Sequence, residues 1–433
     1  MNAENAGISE KLKRNVYGSA FYKGIDVLFN FLLVRYAIRF FGAEDYGVWL
    51  TILSFFAWFS VIEFGVSSSF RNRLTQYFSD KKFDSIRTWI AMGYRATTII
   101  YLLAIILFLV VYNSIGFSFE QYDQNFDFVF QVSFVLYMVH YMLFFLQTVL
   151  LATHHAQSTY VISAIQKAVL LFGIIAFIQF EVAPSMSFIC LWFSSIPLIV
   201  WGIATFFSYR SFLAPIKPSL QEISSSEIKP FKHIQKAFFI IQISTLIIYA
   251  TDNIIIINGL TGADVTYYNI AFKYFNILII LFNIVLLPYW SSFTEAAHKK
   301  DVHWIKKNVR NLILLWLGIT ALSVIMLFAS GYAYELWIGE PVSIPIELSI
   351  FMGVSVLITC WNNIFSYFLN SISKTKTQMI VLVISALINV PLSFYLLEKI
   401  GITGVIIATS IALLPLAIAL PIQYRSVIKN FNS

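Results

Sequence analysis

Residues 377–398 and 403–424 read TQMIVLVISALINVPLSFYLLE and TGVIIATSIALLPLAIALPIQY. Each stretch holds 22 residues and at most one charged side chain. A helix of that length crosses about 30 Å, the thickness of the hydrocarbon core of a bilayer. Similar apolar runs of 20 to 27 residues recur about every 35 residues, whereas a membrane β-barrel strand needs only about 10 residues. The sequence therefore predicts an all-α, polytopic membrane protein.

The composition agrees with this prediction. The chain has 433 residues, of which 59% are hydrophobic and only 12% are charged, too little polar surface for a water-soluble globule of that size. Twelve apolar runs are present, and we predict one transmembrane helix for each. The predicted helices span 16–41, 46–70, 89–112, 127–152, 159–181, 186–209, 237–258, 265–290, 309–331, 346–371, 377–398 and 403–424.

Basic residues mark one side of the predicted membrane. If the N-terminus is cytoplasmic, 22 lysines and arginines lie in cytoplasmic segments, and Lys399 alone lies in an external one. The cytoplasmic segments are 11–14, 71–87, 210–236, 299–310, 374–376 and 425–429. This asymmetry follows the positive-inside rule, so we expect both termini in the cytoplasm. It also accounts for the net charge of +7 without a nucleic-acid partner.

The chain divides near its middle. Residues 210–236 form the longest connection and are rich in proline and serine, so we predict a cytoplasmic linker between a six-helix lobe at 1–209 and another at 237–433. A weak internal repeat supports this division, because Gly42-Ala43-Glu44 is echoed 220 residues later by Gly262-Ala263-Asp264. An even number of spans in each half makes the two lobes parallel repeats, with a polar site expected in a central cavity between them.

Charged residues inside the predicted spans are the candidate functional residues. A charge near the middle of a bilayer costs roughly 2.5 to 3.5 kcal/mol unless it faces water or a partner. Arg39 and Arg95 lie close enough to an interface for the side chain to reach it, and Glu63 is close enough to Arg71 or Arg73 to pair locally. These positions need no functional explanation by themselves.

Lys23, Asp26 and Asn30 share one helix face, because they are spaced by three and four residues. Two interpretations remain open for this stripe. It is either a structural ion pair buried against a neighbouring helix, or the wall of a water-filled cavity.

Arg35, Lys167 and Lys273 lie deeper than an interface anchor would. Several separated cations in one cavity suit an anionic substrate, and the arginine fork is particularly suited to phosphate. We therefore predict substrate-binding roles for these three residues, with Lys23 and Arg39 as further members of the set. Asp26, Asp252 and Glu63 are the candidate ion-coupling residues.

The sequence resembles a known family at two landmarks. Residues 35–74, RYAIRFFGAEDYGVWLTILSFFAWFSVIEFGVSSSFRNRL, are similar to the first two helices of polysaccharide-biosynthesis flippases of the O-antigen transporter (Wzx) type. Residues 368–394, FLNSISKTKTQMIVLVISALINVPLSF, and 401–412, GITGVIIATSIA, are similar to the last two helices of that family. Lipid II flippases are related, but they have about fourteen helices and an arginine pattern in the first helix that this chain lacks.

The resemblance implies a MATE-like fold and a function. It implies that the protein moves an undecaprenyl-diphosphate-linked oligosaccharide from the cytoplasmic to the outer leaflet of the bacterial inner membrane by alternating access, coupled to a proton or cation gradient. Candidate partners are the membrane lipid, a polysaccharide polymerase and a chain-length regulator. A cation-coupled multidrug or metabolite exporter on the same fold is the alternative, and a membrane glycan polymerase or ligase is a weaker one.

Enzymatic chemistry has little support in the sequence. The predicted external loops are under about twenty residues and hold no His or Arg, whereas a polymerase or ligase needs a sizeable loop with catalytic residues. The histidines show no recurring metal-ligand spacing, and Cys190 and Cys360 lie singly in apolar runs as small buried hydrophobic residues do. We therefore predict a non-enzyme with no metal centre and no cofactor.

Overall fold

The computed structural model describes residues 3–115, 125–153, 155–218, 236–286, 289–298, 300–339, 342–372 and 374–432. Within these ranges the secondary structure is helical, with no β-strand. Among the described residues, ten helices are long and apolar enough to cross a membrane. The two remaining predicted spans, 16–41 and 46–70, lie in one long helix. The prediction of an all-α, polytopic membrane protein is confirmed.

The first long helix, α1 (Ala3–Ser79), has two legs that meet at Gly42. Gly42 has φ 81° and ψ 162°, a conformation that side chains with a Cβ rarely adopt. The helical hydrogen-bond ladder is therefore interrupted between the first two predicted spans. Residues 42–45, GAED, separate the first two predicted spans, and the structure shortens this connection to the single non-helical residue Gly42.

The chain forms two compact units. The first contains Met1–Gly42 and Phe56–Gln235, and the second contains Ala43–Phe55 and Lys236–Ser433. The short segment Ala43–Phe55 is part of α1 along the chain but packs with the second unit. The predicted lobes at 1–209 and 237–433 place residues 43–55 in the first lobe, whereas these residues pack with the second unit. The lobe boundaries themselves stay a prediction.

The first unit holds most of α1 and four further long helices: α2 (Phe83–Ile115), α3 (Phe126–Ala152), α4 (Ala156–Gln179) and α5 (Met186–Arg210). Its core includes Phe70, Trp89, Phe145 and Trp201. Helices α2 and α3 pack closely at Gly93, where a Cβ would lie 2.0 Å from the Phe145 ring. A short 3-10 helix, Ala214–Ile216, follows α5.

In its described residues, the second unit holds seven helices besides Ala43–Phe55. They are α6 (Lys236–Gly259), α7 (Gly262–Leu286), α8 (Tyr289–His298), α9 (Val302–Ile338), α10 (Ile346–Ser371), α11 (Lys376–Ile400) and α12 (Ile402–Asn432). Helix α9 extends well beyond the predicted span 309–331, because Asp301 caps its first turn and Gly339 ends it in a left-handed conformation. Hydropathy locates only the part of a helix that lies in lipid.

Apolar side chains cover the outward faces of these helices. Leu103 and Leu107 on α2 are 62% and 64% exposed, and Phe328 on α9 is 87% exposed. Polar residues would occupy such positions in a protein surrounded by water, whereas acyl chains are a suitable environment for them. The exposed faces therefore agree with insertion in a bilayer.

Candidate functional site

A charged triad lies inside the first unit. The Asp26 carboxylate contacts the Lys167 ammonium at 2.7 Å and the Lys23 ammonium at 2.9 Å, and it accepts a hydrogen bond from the Ser163 hydroxyl at 2.7 Å. Asp26 is only 1% exposed, whereas the Lys23 side chain is 38% exposed. Helices α1 and α4 thus share one carboxylate between two cations, which leaves a net positive charge.

The triad bears on both interpretations of the polar stripe on α1. Lys23 and Asp26 do form an ion pair against a neighbouring helix. Lys167 belongs to the same cluster, so this predicted anion ligand already has a carboxylate partner. Its role in substrate binding stays a prediction, and it depends on the surplus positive charge of the triad.

Three other predicted residues lie further along α1. Arg35 is half-buried and lies nine residues beyond Asp26, about 13 Å along the helix axis. Arg39 is exposed, which agrees with an interfacial position. The side chains of Glu63 and of its suggested neighbour Arg73 lie outside the described residues, whereas Arg71 is exposed.

Lys273 occupies a different environment in the second unit. It lies on α7, half-buried, and its ammonium donates a hydrogen bond to the Tyr46 hydroxyl at 3.3 Å. The same ammonium lies 5.7 Å from the centre of the Tyr46 ring, at cation–π distance. No carboxylate within the described part of the chain forms an ion pair with Lys273. Unlike Lys167, this cation has no carboxylate partner among the described residues.

Asp252 is the buried carboxylate of the second unit. It lies on α6, is 3% exposed, and accepts a hydrogen bond from the Tyr268 hydroxyl of α7 at 2.5 Å. Its second oxygen, Oδ1, is buried and has no hydrogen-bond partner among the described residues. The Thr409 hydroxyl of α12 lies close to the same carboxylate. No lysine or arginine in the described ranges forms an ion pair with Asp252.

Further polar groups of the same unit are buried near Thr409. Asn389 of α11 donates a hydrogen bond to the Thr409 hydroxyl at 3.2 Å, while its own carbonyl oxygen has no partner among the described residues. Ser385 and Ser393 lie one turn to either side of Asn389, and both hydroxyls are buried and without a described partner. Helices α6, α7, α11 and α12 therefore supply polar groups to one buried region.

The sequence gives no role to some of these residues. Tyr46 stands at the start of a predicted span, and Asn389 lies within the stretch 368–394 that resembles a known family. The spacing of Ser385, Asn389 and Ser393 by four residues was the available signal, since it predicts one polar face on an otherwise apolar helix. No local signal points to Tyr46, because its partner Lys273 is 227 residues away.

Comparisons with known proteins agree with this architecture. The MatE family model matches residues 237–395. The chain is 21% identical over 384 residues to a Salmonella typhi protein named O-antigen transporter, covering 86% of each chain. It is 22% identical over 423 residues to a Yersinia pseudotuberculosis protein named O-antigen export protein, covering 93% of each chain.

Solved structures show the same fold. An inward-facing multidrug resistance MATE family transporter of the MOP superfamily superposes with a TM-score of 0.76 at 12% identity, covering 96% of this chain and 99% of that one. A MATE transporter of Vibrio cholerae gives a TM-score of 0.65 at 13% identity, covering 99% of each chain. The resemblance drawn from the sequence is therefore confirmed: this chain has the MATE fold, and it is similar in sequence to proteins named O-antigen transporters.

Proposed function

We propose that this protein is a flippase that moves an undecaprenyl-diphosphate-linked oligosaccharide from the cytoplasmic to the outer leaflet of the bacterial inner membrane. The names of its sequence relatives support a transporter of polysaccharide precursors. The diphosphate and the sugar hydroxyls cannot cross hydrocarbon without losing their hydration. A protein that moves them must supply polar and cationic groups at membrane depth.

The observation that carries the proposal is the uncompensated charge of Lys273. A half-buried ammonium that meets only a neutral hydroxyl among the described residues leaves hydrogen-bonding capacity for an anion. Charge-assisted hydrogen bonds to phosphate are among the stronger polar contacts in proteins. We assign the diphosphate-binding role first to Lys273, and then to Arg35 and to the net positive triad of Lys23, Asp26 and Lys167, with Arg39 near an interface.

The energy source is proposed to be a proton or monovalent cation gradient, with Asp252 as the coupling group. A buried carboxylate without a nearby cation is costly, so it binds a proton or a metal cation in preference to remaining bare. The Asp26 carboxylate is already compensated by two ammonium groups, so it does not require a bound proton or metal cation. Of the three predicted coupling residues, Asp252 therefore has the better environment for reversible ion binding.

Deleting the gene in its own organism tests the substrate. We expect the lipid-linked oligosaccharide to accumulate in the inner leaflet and the surface polysaccharide to disappear, with both defects reversed by the wild-type gene. A Lys273→Ala protein that reaches the membrane in normal amounts should fail to reverse them. Unchanged surface polysaccharide in the deletion strain would overturn the proposal.

A multidrug exporter is the second candidate, because the solved structures that share this fold include a multidrug resistance transporter. That function predicts that the gene protects a drug-sensitive strain and that Lys273→Ala leaves the protection intact. A flippase predicts no such protection. Cytoplasmic termini and the association with a polymerase and a chain-length regulator are also part of the proposal, and reporter fusions and co-purification test them.

A further inference from the structure

The segment Ala43–Phe55, here called the strap, is anchored to α7 by its first residues. The Glu44 carboxylate accepts hydrogen bonds from the backbone N–H groups of Gly262 and Ala263, each at 2.8 Å. These donors open α7, where the first N–H groups have no intrahelical partner and the helix dipole favours an anion. The Thr266 hydroxyl donates a third hydrogen bond to the Ala43 carbonyl oxygen at 2.6 Å.

Two glycines let the backbones of the strap and α7 touch. A Cβ added to Gly47 would lie 1.6 Å from the Gly262 carbonyl oxygen, and one added to Gly262 would lie 2.2 Å from the Glu44 carbonyl oxygen. No larger residue fits either position without moving the backbone. The repeated motifs Gly42-Ala43-Glu44 and Gly262-Ala263-Asp264 thus meet each other.

The far end of the strap is anchored to α6. The Asn253 side-chain amide donates to the Ser54 hydroxyl at 2.9 Å, and its carbonyl oxygen accepts from the Asn269 amide at 2.8 Å. Asn253 follows Asp252, and Asn269 follows Tyr268. Two adjacent hydrogen bonds therefore join α6 to α7. One links Tyr268 to Asp252, and the other links Asn269 to Asn253, which also holds the strap.

The contacts of the strap with α6 and α7 cannot all persist if the two units move relative to each other, because the chain on both sides of the strap belongs to the other unit. Residues before and after it belong to the first unit, while the strap itself packs in the second. If transport moves one unit against the other, either the helix must break near Phe55 or the strap must leave α6 and α7. The α1 helix is continuous from residue 43 to Ser79, so release of the strap leaves the backbone hydrogen bonds of the helix intact, whereas a strap that stays docked requires a break in them.

We infer that the strap docks on α6 and α7 and releases from them in each transport cycle, with Glu44 as the positioning residue that sets Tyr46 against Lys273. This inference rests on the proposed function. Docking closes the contact between Tyr46 and Lys273, and release frees the Lys273 ammonium from its hydroxyl partner. The hydrogen bonds of Asn253, the residue that follows Asp252, connect this movement to the ion-coupling group.

A reversible lock tests the movement. In a variant with Cys190 and Cys360 replaced by Ala, Ala43→Cys and Thr266→Cys are joined by a short bis-methanethiosulfonate reagent, because these two residues touch in the docked state. Translocation of purified lipid-linked oligosaccharide is measured in proteoliposomes. We expect the reagent to lower the rate of the double-cysteine protein at least 10-fold and a reductant to restore that rate, while the same reagent does not change the rate of either single-cysteine protein relative to that protein without reagent.

The control for the proposed function is the protein without the lock. If the two-alanine background moves no lipid-linked oligosaccharide, the proposed function fails. If it moves the substrate and the joined pair moves it at the same rate, the strap does not need to release and the inference is overturned.

A matched pair of variants tests the positioning role of Glu44. Glu44→Gln removes the charge that holds the strap, whereas Asp264→Asn removes an acid that caps the same helix end through Thr261. The probe is the rate at which a maleimide labels Ala43→Cys in purified protein. We expect Glu44→Gln to raise that rate several-fold and Asp264→Asn to leave it unchanged. Equal rates in all three proteins, or an equal rise in both variants, would contradict the assignment.

Discussion

Lys273 and Tyr46 are 227 residues apart in the chain, and the Lys273 ammonium donates a hydrogen bond to the Tyr46 hydroxyl at 3.3 Å. The contact is part of the second unit, although Tyr46 lies on the helix that also carries Asp26. Lys273 thus has a neutral partner, whereas Lys23 and Lys167 of the first unit share the Asp26 carboxylate. The charge of Lys273 therefore stays available for an anion, while the charges of the other two lysines are partly neutralised.

Lys273→Ala should weaken binding of the lipid diphosphate by about 10- to 100-fold, because a hydrogen bond to a charged group contributes roughly 1.5 to 3 kcal/mol. Lys273→Arg should retain part of the affinity. Tyr46→Phe should change it by less than about 10-fold, since only a neutral hydroxyl is lost. Binding to purified protein in nanodiscs measures all three, and wild-type affinity in Lys273→Ala would contradict the assignment.

Asp26→Asn should destabilise the protein by about 3 kcal/mol, since it leaves two lysines without their shared counter-charge. That value is at the lower end for a broken buried pair, because the Lys23 and Lys167 side chains are partly exposed. Ser163→Ala, which removes one hydrogen bond to the same carboxylate, should cost only about 1 kcal/mol. Thermal unfolding in one detergent compares them, and equal stability of Asp26→Asn and wild type would show that the triad is not structural.

Asp252→Asn should have the opposite effect on stability. The carboxylate is buried without a described cation, so replacing it by a neutral side chain of the same shape should leave the melting temperature unchanged or raise it. Transport should lose its dependence on the ion gradient at the same time. Proteoliposomes with and without imposed proton and sodium gradients provide the measurement, and a variant that keeps wild-type gradient dependence would exclude Asp252 as the coupling group.

Gly47→Ala should disturb the docked strap, because the new methyl group would overlap the Gly262 carbonyl oxygen. Overpacking of this kind typically costs about 1 to 3 kcal/mol. Gly24→Ala is the matched control on the same helix, where a Cβ meets no atom within 4 Å, and it should stabilise α1 by up to about 1 kcal/mol. Melting temperatures distinguish the two, and a Gly47→Ala protein as stable as Gly24→Ala would show that the backbone contact is not close.

The sequence alone determined that the chain belongs in a membrane and where most of its long helices lie. The predicted span 265–290 is an exception, because it covers both the end of α7 at Leu286 and the start of α8 at Tyr289. Hydropathy is summed over about 20 neighbouring residues, so it depends little on the rest of the fold. The prediction for 346–371 matches α10 (Ile346–Ser371) residue for residue. The spacing of Lys23 and Asp26 also made a local ion pair foreseeable, because residues three apart share a helix face.

Only the tertiary structure decided which charges are neutralised. Lys167 and Lys273 look alike in sequence, yet one contacts Asp26 across 141 residues and the other contacts Tyr46 across 227. The docking of residues 43–55 on α7 depends on backbone atoms of Gly47 and Gly262 that no residue pattern reports. A pairing between distant helices is fixed by how their surfaces fit, and the composition of each helix taken separately does not contain that information.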